Sequence, residues 1–224
     1  MSGLGGDVHR NRRLVLWGTL VALLAALAYA DRAASGKPDP NILYHWTIAV
    51  GSVIQDGILL VLVLWIASFR FDLLGIAPPV SVARAARLLG VALVVTYVFE
   101  IAYNALAHPG NEQGLTPSHW EPRHATAYVV NAVIICTFIP LVEELTYRGL
   151  GYSLLERFGR WPAIFLVGLV FGLAHGLVVS LPIIVAFGCV LAWVRSETRS
   201  VFPGMVLHAA FNLVALIAAV TVGN

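Results

Sequence analysis

The chain has 224 residues, 59% of them hydrophobic and only 12% charged, with a mean hydropathy of +0.83. A soluble domain of this size needs far more charge to cover its surface, and a formal charge of +2 without a basic stripe offers nothing to hold nucleic acid. Apolar runs of about 18 residues recur along the whole length, so the expected class is an all-α, polytopic integral membrane protein with about seven or eight transmembrane helices.

Residues 1–13 are polar and basic (Arg10, Arg12, Arg13) and precede the apolar run 14–30. A basic start, an apolar middle and a terminal Ala-Tyr-Ala also fit a cleavable signal segment. A retained first span is expected, because many later spans make a separate signal unnecessary. DRAASGKPDPN (31–41) reads as a loop. The second span covers about 44–69 and carries Gln55 and Asp56 near its middle. Pro78 and Pro79 forbid helix continuation in 71–81, and Ser81 suits the N-cap of the next helix. Arg84 and Arg87 in its first turns precede the apolar run 88–107.

A polar segment with several breakers, 108–124, separates this from a fourth span, 125–142, which ends on Glu143 and Glu144. A short helical piece at about 145–158 follows. Two closely coupled spans come next, about 162–178 and 179–194, joined by a tight turn near Ser180–Pro182. The second is short for a hydrocarbon core of ~30 Å, so it is expected beside a water-filled or thinned region. RSETRS (195–200) reads as a polar turn, and the last span runs from Pro203 to about Val222. Cys136 and Cys189 lie inside apolar runs and read as small hydrophobes, with neither a disulfide nor a thiolate metal site implied.

The arginines and lysines orient these spans. With a cytoplasmic N-terminus, eleven fall on inside segments: Arg10, Arg12, Arg13, Arg70, Arg84, Arg87, Arg148, Arg157, Arg160, Arg195 and Arg199. Only Arg32, Lys37 and Arg123 fall outside. The positive-inside rule therefore predicts a multi-pass protein of the cell membrane with its N-terminus in the cytoplasm, and Glu143, Glu144 and Arg148 near the cytoplasmic side.

Ionisable groups within spans cost ~2.5–3.5 kcal/mol each on insertion scales, so each invites a functional reading. Glu144 and Arg148 share a helix face at i, i+4 and can pair, which leaves Glu143 pointing elsewhere. His175 lies inside a span, one turn from Phe171, with glycines at 172 and 176 that let another backbone or a substrate come close. His208 and Asn212 project from one stripe of the last helix and can donate hydrogen bonds from fixed positions. Each pattern alone also fits a solvated helix end or interhelical packing. Together, on three spans, they are more than packing needs and could converge in one cavity. Gln55, Asp56, Glu100 and Asn104 are weaker candidates with structural roles expected. His45, His108, His119 and His124 read as solvated loop residues.

E-E-x-x-x-R (Glu143, Glu144, Arg148), F-x-x-x-H (Phe171, His175) and H-x-x-x-N (His208, Asn212), in this order on successive spans, resemble the CPBP intramembrane protease family, formerly the Abi family. That family includes the CAAX prenyl endopeptidases and bacterial bacteriocin-processing or immunity proteins. The resemblance covers roughly 125–220; the first hundred residues are similar only in hydropathy. It divides the chain into 1–124, three spans and their loops, and 125–222, the protease core with the three motifs.

The resemblance implies an intramembrane endopeptidase with a conical cavity open to the membrane or cytoplasmic side. Glu143 would activate a water, His175 would hold and polarise it, and His208 with Asn212 would form an oxyanion hole. Glu144, Arg148 and Phe171 would support them. No cofactor is implied, although Glu143, His175 and His208 are also a possible zinc set. H-E-x-x-H is absent and Asn212 is a poor zinc ligand, which favours the metal-free version. The implied partners are the bilayer and a membrane-bound protein or lipidated peptide as substrate, with no nucleic acid. Alternatives are a non-catalytic bacteriocin self-immunity or scaffold protein on the same fold. A small transporter would carry internal repeats, which the sequence lacks.

Overall fold

The computed structural model describes residues 2–36, 39–115, 117 and 120–221, with side chains from residue 8 onward. Lys37, His119 and the expected last-span end at Val222 lie outside the described residues.

Among the described residues the chain is helical and contains no strand. The helices are α1 (Ser2–Ser35), α2 (Trp46–Ala67), α3 (Val82–Ala107), α4 (Ala125–Cys136), α5 (Phe138–Glu143), α6 (Tyr152–Leu155), α7 (Arg160–Leu173), α8 (Leu181–Thr198) and α9 (Phe202–Thr221). A π-helical segment, Glu144–Gly151, joins α5 to α6. Among the described residues, six stretches are long and apolar enough to cross a membrane: Val8–Ser35, Trp46–Ala67, Val82–Ala107, Pro122–Phe158, Leu181–Thr198 and Phe202–Thr221. The protein is an all-α, multi-pass membrane protein. Large apolar side chains such as Val61, Val98, Ile101 and Phe165 stand fully outward, as a lipid-facing surface requires.

Two spans differ from their sequence reading. The expected fifth, 162–178, is the 14-residue helix α7, which stops at Leu173 and turns at Ala174–Gly176. The expected single span 125–142 is broken at Thr137 (φ −125°, ψ −67°). Pro140 explains the break, because it has no N–H to offer the Cys136 carbonyl and its ring clashes there. In contrast, Ser81 caps α3 as its position suggests, its Oγ accepting from the Arg84 amide at 3.3 Å. RSETRS is also more helical than expected: α8 runs through Thr198, and Arg199 makes the left-handed turn (φ 59°).

Long-range contacts define two ends of the bundle. At one, Arg10 donates to the Ser153 carbonyl, Arg157 to Asn11, and Arg199 to Glu156. Glu197 there accepts from both Arg84 and Arg160. At the other, Tyr29 donates to the Leu177 carbonyl at 2.8 Å and Arg32 pairs with Glu112 at 2.8 Å. Arg148 belongs to neither end: it is fully buried, so it drops out of the face charges counted from the sequence.

The centre of the bundle is α8, half of whose apolar window is buried, against 11% for α1. It lies almost in contact with α7 because glycines meet there. A Cβ on Gly168 would come within 2.4 Å of Cys189 Sγ and 2.7 Å of its backbone nitrogen; one on Gly188 would come within 2.9 Å of Gly168 Cα. Small residues at a membrane helix crossing let backbones approach and gain dispersion contacts, which stand in for a hydrophobic drive that lipid does not supply. Gly168→Ala is therefore expected to destabilise by roughly 1–3 kcal/mol through overpacking. Gly90 has open space beside it, so Gly90→Ala should be neutral or stabilising by up to about 1 kcal/mol. Thermal denaturation in detergent checks the pair, and equal midpoints would contradict the close crossing.

Candidate active site

The site is built on a local departure from α-helical geometry. From Glu144 the chain winds as a π-helix, which widens the turn and aims successive side chains differently from an α-helix. Glu144 and Arg148 still share a face, and Arg148 Nη1 donates to Glu144 Oε1 at 3.0 Å with both side chains wholly buried. The segment is anchored from outside by Trp17 of α1, whose indole donates to the Thr146 carbonyl at 2.9 Å.

Arg148 reaches beyond its partner. Its Nη2 donates to the Gly188 carbonyl at 3.0 Å, and its guanidinium carbon lies 4.1 Å from the centre of the Phe171 ring. Phe171 in turn meets His175 edge-on (4.7 Å between centroids) and His208 at 5.9 Å. One aromatic ring thus separates the buried cation from both imidazoles.

His175 sits just past the end of α7, where Gly176 (φ +64°) reverses the chain. Its Nδ1 lies 2.8 Å from the Phe171 carbonyl. A carbonyl can only accept, so Nδ1 carries the proton and Nε2 keeps its lone pair in the neutral ring. That Nε2 faces Glu143 Oε1 at 3.9 Å. The glycines near His175 admit protein: added Cβ atoms at 172 and 176 would strike Val185 of α8 and Ala28 of α1.

His208 is held between the two glutamates. Its Nδ1 lies 3.3 Å from Glu144 Oε1 and its Nε2 lies 3.5 Å from Glu143 Oε2. An imidazole with carboxylates at both nitrogens donates to both only as imidazolium. The sequence reading took His208 as a hydrogen-bond donor alongside Asn212. The structure sets it beside the acidic pair, and Asn212 Nδ2 donates to the Ile135 carbonyl at 2.8 Å. An amide nitrogen has two hydrogens, so one remains for the cavity that Asn212 also lines.

That cavity has a volume of about 780 Å³ and contains Glu143, His175, His208 and Asn212 in its wall. Of the weaker candidates, Gln55 and Asp56 line it, whereas Glu100 and Asn104 do not. Among the described residues no group of three or more His, Cys, Asp or Glu side chains is disposed to hold a metal ion. Cys136 and Cys189 are both free thiols.

Three contributors escaped the sequence reading. Gly188 supplies the carbonyl for Arg148. Gly204 supplies room: a Cβ there would lie 2.5 Å from Glu144 Oε2, which has no hydrogen-bond partner. Glu112, from the loop after α3, accepts from the amides of Val178 (2.8 Å), Val179 (3.2 Å) and Ser180 (2.6 Å), just beyond His175. Partial burial pushes the Glu112 carboxyl up, but these amides outweigh it and hold its pKa below the usual glutamate value. No local motif marks any of the three, because each acts on a partner distant in the chain.

Removing Arg148 alone leaves Glu144 buried without its counter-charge. Arg148→Ala should cost roughly 3–5 kcal/mol, while Glu144→Leu/Arg148→Met together should recover much of that loss. Folded yield and melting midpoint in detergent measure both; a double variant no better than the single one would contradict the coupling.

Residues 125–214 match the family described as Rce1-like, Type II CAAX prenyl endopeptidase Rce1-like. No curated protein and no solved structure matches the chain. The matched stretch takes in all three motifs, and over these residues the chain is similar to the CAAX prenyl endopeptidases.

Proposed function

We propose that the protein is an intramembrane endopeptidase that hydrolyses peptide bonds of membrane-associated proteins or peptides with water activated by Glu143. The observation that carries this reading is that Nε2 of His175 and Nε2 of His208 face the two oxygens of one carboxylate, Glu143, in the wall of a single cavity.

The chemistry follows from the donors and acceptors. Glu143 Oε1 and the lone pair of His175 Nε2 are both acceptors. A water between them gives one hydrogen to each, and its own lone pair is left aimed at a substrate carbonyl. Glu143 takes a proton as the water oxygen bonds to the carbonyl carbon, and the carbonyl π electrons move onto oxygen. The free amide hydrogen of Asn212 stabilises that oxyanion, as does Nε2–H of His208 in its imidazolium form, with Glu144 accepting from Nδ1–H on the other side. The intermediate collapses by breaking its C–N bond, and Glu143 returns the proton to the departing amine. One carboxylic acid and one amine result. Glu144 and Arg148 take no part in bond changes; they fix the direction of Glu143 and His208.

Glu143→Gln should abolish cleavage while leaving folded protein, as should His175→Ala. Cells expressing the wild type, Glu143→Gln or His175→Ala are compared for new chain termini in their membrane proteomes. Termini that depend on the wild type and vanish in both variants are the expected result; identical termini would remove Glu143 from the catalytic role.

Cleavage by the purified protein is expected to survive exhaustive chelation. Loss of activity on chelation with rescue by added zinc would replace the water-activating carboxylate with a metal mechanism.

A further inference from the structure

One carboxylate in the cavity wall has no task in the chemistry above. Asp56 lies near the middle of α2, is only 6% exposed, and lines the same cavity as Glu143, His175 and His208. α2 packs against α5, the helix that ends on Glu143. Among the described residues no hydrogen-bond donor and no cation reaches the Asp56 carboxylate. A buried acid within a membrane span is costly and ordinarily pairs with a donor or cation of its own chain. An aspartate that only joined helices would show that partner.

The cations of the cavity wall are already engaged elsewhere. Five acidic side chains line it: Asp31, Asp39, Asp56, Glu112 and Glu143. Arg32 pairs with Glu112 at 2.8 Å, and His208 stands between Glu143 and Glu144. His175 turns its Nδ1 proton to the Phe171 carbonyl and offers the cavity only a lone pair. Asp31 accepts from Ser35 at 3.0 Å and Asp39 faces His45 at 3.2 Å; both aspartates are exposed. Asp56 is the one of the five that is both buried and without a partner among the described residues.

The complement to Asp56 must therefore arrive with a ligand. An ionised carboxylate only accepts hydrogen bonds, so the matching group is a cation rich in N–H donors, a lysine ammonium or an arginine guanidinium. A wall that carries more acid than base also draws such a group inward.

We propose that Asp56 is a specificity residue, which holds a lysine or arginine side chain of the polypeptide that enters the cavity. The cleaved class is then a membrane-associated polypeptide with a basic residue close to its scissile bond. That substrate class rests on the endopeptidase reading above; the cation site does not.

Two short apolar peptides, one carrying a single lysine and the other norleucine in its place, are titrated onto the purified protein in detergent. The dependence of the melting midpoint on peptide concentration gives the two affinities. The wild type and Glu143→Gln are both expected to bind the lysine peptide roughly tenfold more tightly, as one charge-assisted hydrogen bond provides. Asp56→Asn, which keeps the size of the side chain, should bind both peptides alike, and Asp56→Glu should retain the preference. Equal affinities in the wild type, a comparison that needs no variant to fold, would overturn the cation site. So would a preference that survives Asp56→Asn. The Glu143-dependent termini described above should carry Lys or Arg within a few residues of the cleaved bond and become scarce in Asp56→Asn cells. Termini without such a residue would overturn the substrate class. If no such termini form, the endopeptidase reading fails, and the peptide affinities still decide the cation site.

Discussion

A guanidinium with no access to solvent governs this structure. Arg148 is wholly enclosed in a protein that is itself enclosed in lipid, where an unpaired cation is prohibitively expensive. Its tolerance depends on three neighbours from three parts of the chain: Glu144 in the same segment, the Gly188 carbonyl in α8 and the Phe171 ring in α7. Satisfying one charge therefore fixes the mutual position of the π-helical segment, α7 and α8. Glu143 precedes this assembly by one residue and inherits its rigidity.

The same arrangement divides the site into fixed and adjustable parts. His208 stands on the long helix α9 and is braced by Glu144, and Glu143 ends α5 directly before the π-helical segment. His175 stands on a turn, beyond the last residue of α7, and the residues after it hang from the Glu112 carboxylate. Glu112 is in turn held by Arg32 of α1. The loop that carries Glu112 thus bears on the placement of His175.

Much of this was legible in the sequence because the bilayer imposes strong rules. Uninterrupted apolar runs gave α2, α3, α8 and α9, Ser81 announced a helix start, and the i, i+4 spacing gave the Glu144–Arg148 pair. The three polar motifs stood out against a lipid-compatible background, where each charged group demands a reason. Other features depend on contacts through space. Pro140 is visible in the sequence, but its effect, a break at Thr137 followed by a π-helical turn, depends on what the kinked helix packs against. The placement of His208 between two carboxylates some 60 residues away left no local trace. Nor did the shortness of α7, whose apolar run continues into a turn that Gly176 and Ala28 enforce together.

Gly204 has one further consequence. It does not ionise, bind or move, yet the space it leaves is occupied by the carboxylate that braces His208. A single methyl group at that position would evict the Glu144 carboxylate from its pocket while every motif residue kept its identity in the sequence. Decay of this fold into an inactive copy therefore need not begin at a glutamate or a histidine. It can begin at a residue whose whole contribution is to be absent, so a reading of catalytic competence from E-E-x-x-x-R, F-x-x-x-H and H-x-x-x-N is complete only with the glycine four residues before His208.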